Sequence, residues 1–375
     1  MKYKICKRCV MDTSDPEITF DKHGICKHCH RYDNILESRV YKGNVAKNEL
    51  KKIVSKIKKV GAEKDYDCIV GVSGGVDSTY VAYLVKELGL KPLAIHFDNG
   101  WNSELAVSNI EKVLDKLDID LFTYVIDWDM FRDLQKTFLK GSTPDGEVPT
   151  DHAITALLFK EASKRGIKYI ISGMNFSTES MSVRRWSYGH SDWLFIKDVY
   201  KKNGGVKPLR GYPKFSFLNL FVYTFIKRIK VFSILNYVDY DKEKTMDLLT
   251  EKLDWTKYEG KHYESVYTRF YQGYVLPVKF NVDKRIGHLS DLIRSGQINR
   301  DKALSQLKGP PYPSKKLLNQ DLEFMYKKFN YSKEEFESIM KAPVKSFLDY
   351  KNFSRLLDQI KIFVNYLRSK KLYTK

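Results

Sequence analysis

An apolar run, Asp67-Cys68-Ile69-Val70-Gly71-Val72, passes without a break into Ser73-Gly74-Gly75-Val76-Asp77-Ser78, and helical periodicity begins at residue 77. The β-branched run predicts a buried strand over 67–72. Two adjacent glycines permit a tight turn and let backbone N–H groups approach an anion closely. The helix that follows adds its free amides and its dipole. Strand, glycine turn and helix in this order dictate an α/β unit with a phosphate site beyond the strand's carboxyl end. The hydroxyls of Ser73 and Ser78 can donate to phosphate oxygens, and Asp77 can cap the helix or help hold Mg2+. The lysine of a Walker A loop is missing, which disfavours γ-phosphate handling of the usual kind.

The alternation continues. Strands are predicted over 92–97, 121–126 and 168–172, and helices over 77–88, 103–116, 129–139 and 151–164. This pattern predicts a parallel sheet with helices on both faces and right-handed crossovers. The ligand loops are then 73–78, 98–102 and 173–185. The chain divides into a cysteine ribbon (1–35), a linker helix (36–65), the nucleotide domain (66–210), an aromatic and basic segment (211–245) and a helical C-terminal region (246–375). In the linker, Val45, Leu50, Ile53, Val54, Ile57 and Val60 form an apolar stripe that Gly61 stops. Residues 212–240 read as an amphipathic helix pair, for which a core or subunit interface is favoured over a membrane surface. A last amphipathic helix is expected over 353–372, with Leu356, Leu357, Ile360, Ile362, Phe363 and Leu367 as its stripe.

Four of the five cysteines, Cys6, Cys9, Cys26 and Cys29, form C-x2-C pairs with zinc-site spacing. Four thiolates saturate a tetrahedral Zn2+ and leave no position for water, so the ion would be structural. The turn-prone arm between the pairs suits a short β-ribbon. Cys68, inside the first strand, reads as a small core residue.

The 375 residues carry 65 basic and 46 acidic side chains, a net charge of +19, with 43% hydrophobic residues. That excludes a disordered chain and a disulfide-stapled miniprotein. The excess charge points to an anionic partner, whether nucleotide, nucleic acid, acidic sugar or anionic membrane. No signal-peptide pattern follows Met1, and the longest apolar stretch, 215–235, is broken by Lys227, Arg228 and Lys230, so a cytoplasmic, non-spanning protein is expected.

SGGVDS after an apolar strand resembles the PP-loop of the ATP pyrophosphatase superfamily. The strand end His96-Phe97-Asp98-Asn99-Gly100-Trp101 is similar to the family's adenosine site, and Ile171-Ser172-Gly173-Met174-Asn175 to its later nucleotide loop. MDTSDPEITFD, FDNGWNSELA, PTDHAI, the run Lys261 to Phe270 and the run Asp283 to Ser290 resemble one branch, the N-acetyl sugar amidotransferases of bacterial surface-polysaccharide and pseudaminic-acid-type pathways. The resemblance implies that ATP adenylates the acetamido oxygen of an N-acetylated, nucleotide-linked acidic sugar in O-antigen or other surface-glycan synthesis. Ammonia then displaces AMP to give an acetamidine.

By that resemblance Ser73, Gly74, Gly75, Val76, Asp77, Ser78, Phe97, Asp98, Asn99 and Gly173 bind the nucleotide. Ser73, Asp77, Ser78, Lys261, Lys284 and Arg285 act in catalysis, the cations as a clamp. Asn175, Glu179, His262, Glu264, Arg269 and His288 are the substrate contacts, with Arg184 and Arg185 nearby. His152, His262, His288, Glu264 and Asp98 are the proton carriers considered, although Asp151 or Thr150 could equally cap the helix at 151. With four cysteines assigned to zinc and Cys68 in a strand, no built-in glutaminase is expected, and a separate glutaminase subunit would supply ammonia. Nucleic acid is not expected as a partner, and self-association is left open. The rival is PP-loop tRNA thiolation, for which only Cys68 would be free.

Overall fold

The structure, a computed structural model, describes residues 2–181, 183–260, 263–356 and 358–359. The expected α/β architecture is present. Five parallel strands, β1 (Cys68–Gly71), β2 (Pro92–Asp98), β3 (Leu121–Val125), β4 (Tyr169–Ser172) and β5 (Lys230–Ser233), form one sheet in the order β3-β2-β1-β4-β5. β1 lies at the centre because its residues can be buried on both faces: Cys68, Ile69 and Val70 are fully enclosed. The helices Val76–Glu87 and Val148–Lys164 pack against it, and Glu104–Lys116 is the crossover from β2 to β3. The strand order reverses at β1, which places the switch-point crevice directly beyond Ser73.

The helix Gly43–Gly61 docks Leu50, Val54 and Ile57 on the cluster that holds Cys68 and Val70. It ends where Gly61 meets Asp67 so closely that any Cβ would clash. Val45 and Val60, expected in its stripe, point outward.

Residues 212–240 depart from the expected helix pair. A short helix, Phe217–Phe221, widens into a π-turn, Val222–Ile226, and the chain reverses at Arg228, whose φ is +55°. It then enters β5, paired in register with β4 from Tyr169↔Lys230 to Ser172↔Ser233. The β-branched and aromatic residues Val231 and Phe232, together with the free edge of β4, override the helical periodicity. The sheet therefore extends past residue 210.

The C-terminal region is helical as expected. Its long helix, Val266–Phe270 continuing through a π-turn to Leu276–Phe280, is followed by Lys284–Arg294, Arg300–Leu307, Lys315–Phe329 and Lys333–Lys341. The expected last helix, 353–372, falls largely outside the described residues.

Candidate functional site

The glycine turn is held from within and from outside. Ser78 Oγ donates to the Gly75 carbonyl at 3.1 Å, accepts from the Ser73 amide at 3.2 Å and lies 3.1 Å from Ser73 Oγ. Gly74 sits at φ +78°, where a side chain would be strained and would meet the Ala106 carbonyl. Its own carbonyl accepts from Trp255 Nε1 at 2.9 Å and from the Tyr258 hydroxyl at 3.0 Å. Asp77 accepts a hydrogen bond from the buried Tyr240, and Gly173 packs against the Asp77 backbone.

A cavity of about 1150 Å³ opens beyond these strand ends. Of the residues expected at the nucleotide, Ser73, Phe97, Asn99 and Gly173 line it. Asp98 is turned back onto the Gly100 amide (2.9 Å) and does not. His96, part of the strand end likened to the adenosine site but not among the residues expected to bind the nucleotide, does: its Nδ1–H donates to the Val72 carbonyl at 2.9 Å and its Nε2 accepts from Asn102 at 2.9 Å. The opposite wall comes from the C-terminal region. Glu264 stands beside Gly75, and its stretch is stitched to the 99–103 loop by Ser103 N to Glu264 O (2.9 Å) and Val266 N to Trp101 O (2.9 Å). Glu179, Arg269, Lys284, Arg285 and His288 also line the cavity, whereas Lys261 and His262 lie outside the described residues.

The described cations expected to form a clamp or to hold substrate anions are engaged inside the protein. Arg269 is bidentate with Asp321 at 2.9 and 2.8 Å. The guanidinium of Arg285 binds Asp283 and the carbonyls of Gln306, Gly309 and Pro310, so each of its nitrogens is used to tie down a loop. Lys284 stands among Asp145, Glu147 and Asp151; burial works against its ammonium, but their charges outweigh this and raise its pKa.

Asn175 is buried as the cap of a short helix, accepting from Thr178 N at 2.8 Å, and does not line the cavity. Arg184 and Arg185 pair with Asp358 and Glu17 on the surface. His152 is fully buried, donating Nδ1–H to the His190 carbonyl (2.9 Å) and accepting at Nε2 from Phe215 N (3.2 Å). Burial lowers its pKa to about 4, so it is a neutral core residue and not a proton carrier. The helix begins at Val148, with Pro149 in its first turn, so neither Thr150 nor Asp151 is its cap.

Instead, Asp151 faces His190, whose Nε2 is shared at 3.3 Å with Asp151 and at 3.1 Å with Asp145. Enclosure by the cavity wall, aided by the nearby Glu147 and Asp145, pushes Asp151, whose side chain is 52% exposed to that cavity, up to about 6 against the opposing pull of His190. Burial would lower His190, but the charge and hydrogen bond of Asp145, then the charge of Asp151, push it up to about 9. Asp145 is held well below the usual carboxylate range; burial opposes this, and Lys284 and His190 prevail. The set comes from three separate stretches of chain, at 145–151, 190 and 284. The PTDHAI motif flagged its neighbourhood, but nothing in the sequence singled out His190.

The ribbon's four thiols are fully buried, and their sulfurs lie within 4.8 Å of one another. Neighbouring Sγ pairs stand at 3.7 to 3.9 Å. A tetrahedral Zn2+ with Zn–S of about 2.3 Å requires about 3.8 Å between sulfurs, so the set fits that ion. The antiparallel bridges Ile5↔Asp12 and Phe20↔Cys26 supply the expected ribbon. It rests on the C-terminal region: Val10 N donates to Ser290 Oγ at 3.2 Å, and Arg300 donates to the carbonyls of Cys9 (3.1 Å) and Cys6 (2.9 Å).

Comparisons with known proteins fall on the two walls of the cavity. Residues 67–176 match the family model of the queuosine biosynthesis protein QueC, and residues 264–364 that of the LPS biosynthesis protein WbpG-like, C-terminal domain. Among curated proteins, a tRNA-specific 2-thiouridylase MnmA of Staphylococcus epidermidis is 30% identical over 36% of this chain and 38% of its own length, and one of Proteus mirabilis is 32% identical over 28% and 32%. The chain thus spans under half the length of these curated relatives. Among solved structures, an NH3-dependent NAD synthetase from Campylobacter jejuni aligns at 14% identity over 56% of this chain and 93% of that one, TM-score 0.29. The U34-tRNA thiolase NcsA from Methanococcus maripaludis aligns at 17% over 84% and 92%, TM-score 0.32. Likeness at that level bears no functional weight. The SGGVDS turn and the two family matches together place the chain in the PP-loop ATP pyrophosphatase superfamily, with a WbpG-like C-terminal domain.

Proposed function

We propose that the chain is an ATP-dependent amidotransferase that converts the acetamido group of a nucleotide-linked sugar to an acetamidine, in the synthesis of a bacterial surface glycan. The observation that carries this reading is the shared cavity: Ser73 of the PP-loop lines one wall, and Glu264 and Lys284 of the WbpG-like domain line the other. The acetamido oxygen attacks the α-phosphorus of ATP and pyrophosphate leaves. Ammonia adds to the resulting O-adenylyl imidate, AMP departs, and one proton is shed. Ser73, Ser78 and the turn's amides hold the departing pyrophosphate. Mg2+ would find oxygen ligands in Asp77 and Glu264 and would neutralise charge on the phosphates. Asp151, ionised at neutral pH, accepts the proton of the incoming nitrogen, and His190 stabilises the carboxylate.

The sugar expected from the sequence was acidic. The carboxylates of Asp145, Glu147 and Asp151 and the engaged state of Arg269 and Arg285 favour a neutral or basic sugar at that end of the cavity. A separate glutaminase subunit as ammonia source is part of the proposal. So is a cytoplasmic setting, with which the lack of any described helix long and apolar enough to cross a membrane is compatible.

Thiolation of tRNA is the second reading, favoured by the names of the curated relatives. Against it, none of the five cysteines lines the cavity, and Cys68 is buried in β1, where desolvation drives its thiol pKa well upward. The deciding experiment offers ATP, Mg2+ and ammonium with a panel of nucleotide-linked acetamido sugars. The expected result is AMP together with a product lighter by the exchange of O for NH. No turnover with any sugar, alongside AMP-forming thiolation of tRNA with a sulfide donor, would replace this proposal with the second reading.

A further inference from the structure

From Val199 to Val238 the sequence contains eight lysines and arginines and no aspartate or glutamate. Within this stretch the helix Phe217–Phe221 and its π-turn Val222–Ile226 turn one face inward, where Leu220 and Tyr223 pack on the core. The other face is bare. Leu218 is 71% exposed, Phe221 51%, Phe225 70% and Ile226 64%, and the rings of Phe221 and Phe225 lie 5.0 Å apart. Large apolar side chains clustered this way on a surface mark a contact site.

The charges choose the occupant. Lys227, Arg228 and Lys230 are exposed immediately beside Phe225 and Ile226, and none of the three pairs with a carboxylate among the described residues. A second copy of this +19 chain, joined face to face through the patch, would bring these cations against their own images. An anionic bilayer would meet them with opposite charge while the headgroup boundary takes up the Leu and Phe side chains. The short, bent helix lies in the plane of such a surface and does not enter it as a span.

We infer that Leu218, Phe221, Phe225 and Ile226, with Lys227, Arg228 and Lys230, form a docking face for a membrane surface rich in anionic phospholipid. Attachment of this kind is peripheral and salt-sensitive, and it does not depend on the proposed reaction.

The test is co-sedimentation of the full chain with vesicles of phosphatidylglycerol and phosphatidylethanolamine, and with phosphatidylcholine alone. Binding is expected to the first and not the second, and it should fall at least tenfold in high salt. The double variant Phe221→Ser/Phe225→Ser and the charge variant Lys227→Glu/Lys230→Glu should each lose binding tenfold or more with an unchanged far-UV spectrum, since all four side chains are exposed. Equal binding by wild type and both variants, or no binding by wild type, overturns the inference. Self-association of the wild type in sedimentation velocity, abolished by Phe221→Ser/Phe225→Ser without any vesicle binding, overturns it in favour of a protein interface.

Discussion

Trp255 Nε1 donates to the carbonyl of Gly74 at 2.9 Å, so a residue far along the chain sets the pose of the phosphate turn. Trp255→Phe keeps an aromatic ring, deletes the donor and leaves part of the buried indole's volume unfilled, and Tyr258 still holds the oxygen. A loss of about 1 kcal/mol in turn rigidity is expected, read as a roughly fivefold rise in the KM for ATP. Trp255→Phe/Tyr258→Phe orphans the carbonyl and should lower thermal stability as well.

Ser78 links three atoms of the turn. Ser78→Ala should leave a folded, zinc-loaded protein whose AMP formation falls by about 10²- to 10³-fold, the usual effect of removing one preorganised donor. AMP release per chain, measured beside zinc content, checks both halves of this expectation.

Zinc removal should reach beyond the ribbon. Because Val10 and Arg300 connect the two regions, a chelator or Cys26→Ser is expected to lower Tm and to speed amide exchange in Lys284–Arg294 and Arg300–Leu307 as well as in residues 5–30. Exchange confined to the ribbon would contradict the coupling.

His190 is raised to about 9 in the folded chain from an ordinary value of 6.5. Its contribution to stability is therefore fully present below pH 6.5 and is lost as pH rises through about 9. His190→Gln should lower Tm clearly at pH 6 and little at pH 9.5, as measured by thermal melts across that range.

Asp151, raised to about 6, supplies the base only above that pH. At a fixed concentration of free ammonia the rate should show an acid limb near pH 6, and Asp151→Asn should flatten that limb and lower the rate. A limb left unchanged in the variant assigns proton transfer elsewhere.

The sequence carried the sheet and the glycine turn plainly, because strand burial and turn chemistry are local properties. The thiol cluster was equally plain from spacing alone. β5 was hidden because Lys230-Val231-Phe232-Ser233 follows an aromatic helix, and only the vacant edge of β4 decides its state. The His190 set was hidden because its members are joined only by tertiary packing. The fate of Arg285 could not be read because its partners are mostly backbone carbonyls at 306–310, which leave no signature in side-chain pattern.

Arg300 grips the carbonyls of Cys6 and Cys9 across nearly three hundred residues. During synthesis the thiols can capture their ion as soon as Cys29 has emerged, and the ribbon can first lean on Phe176 and on Trp186, whose Nε1 donates to the Ser14 carbonyl at 3.4 Å, but its knuckle carbonyls stay ungripped until the last third of the chain arrives. The first module to form is then among the last to be fully fastened, and a nascent chain halted before residue 300 would carry a metallated finger whose knuckle carbonyls lack their guanidinium clasp.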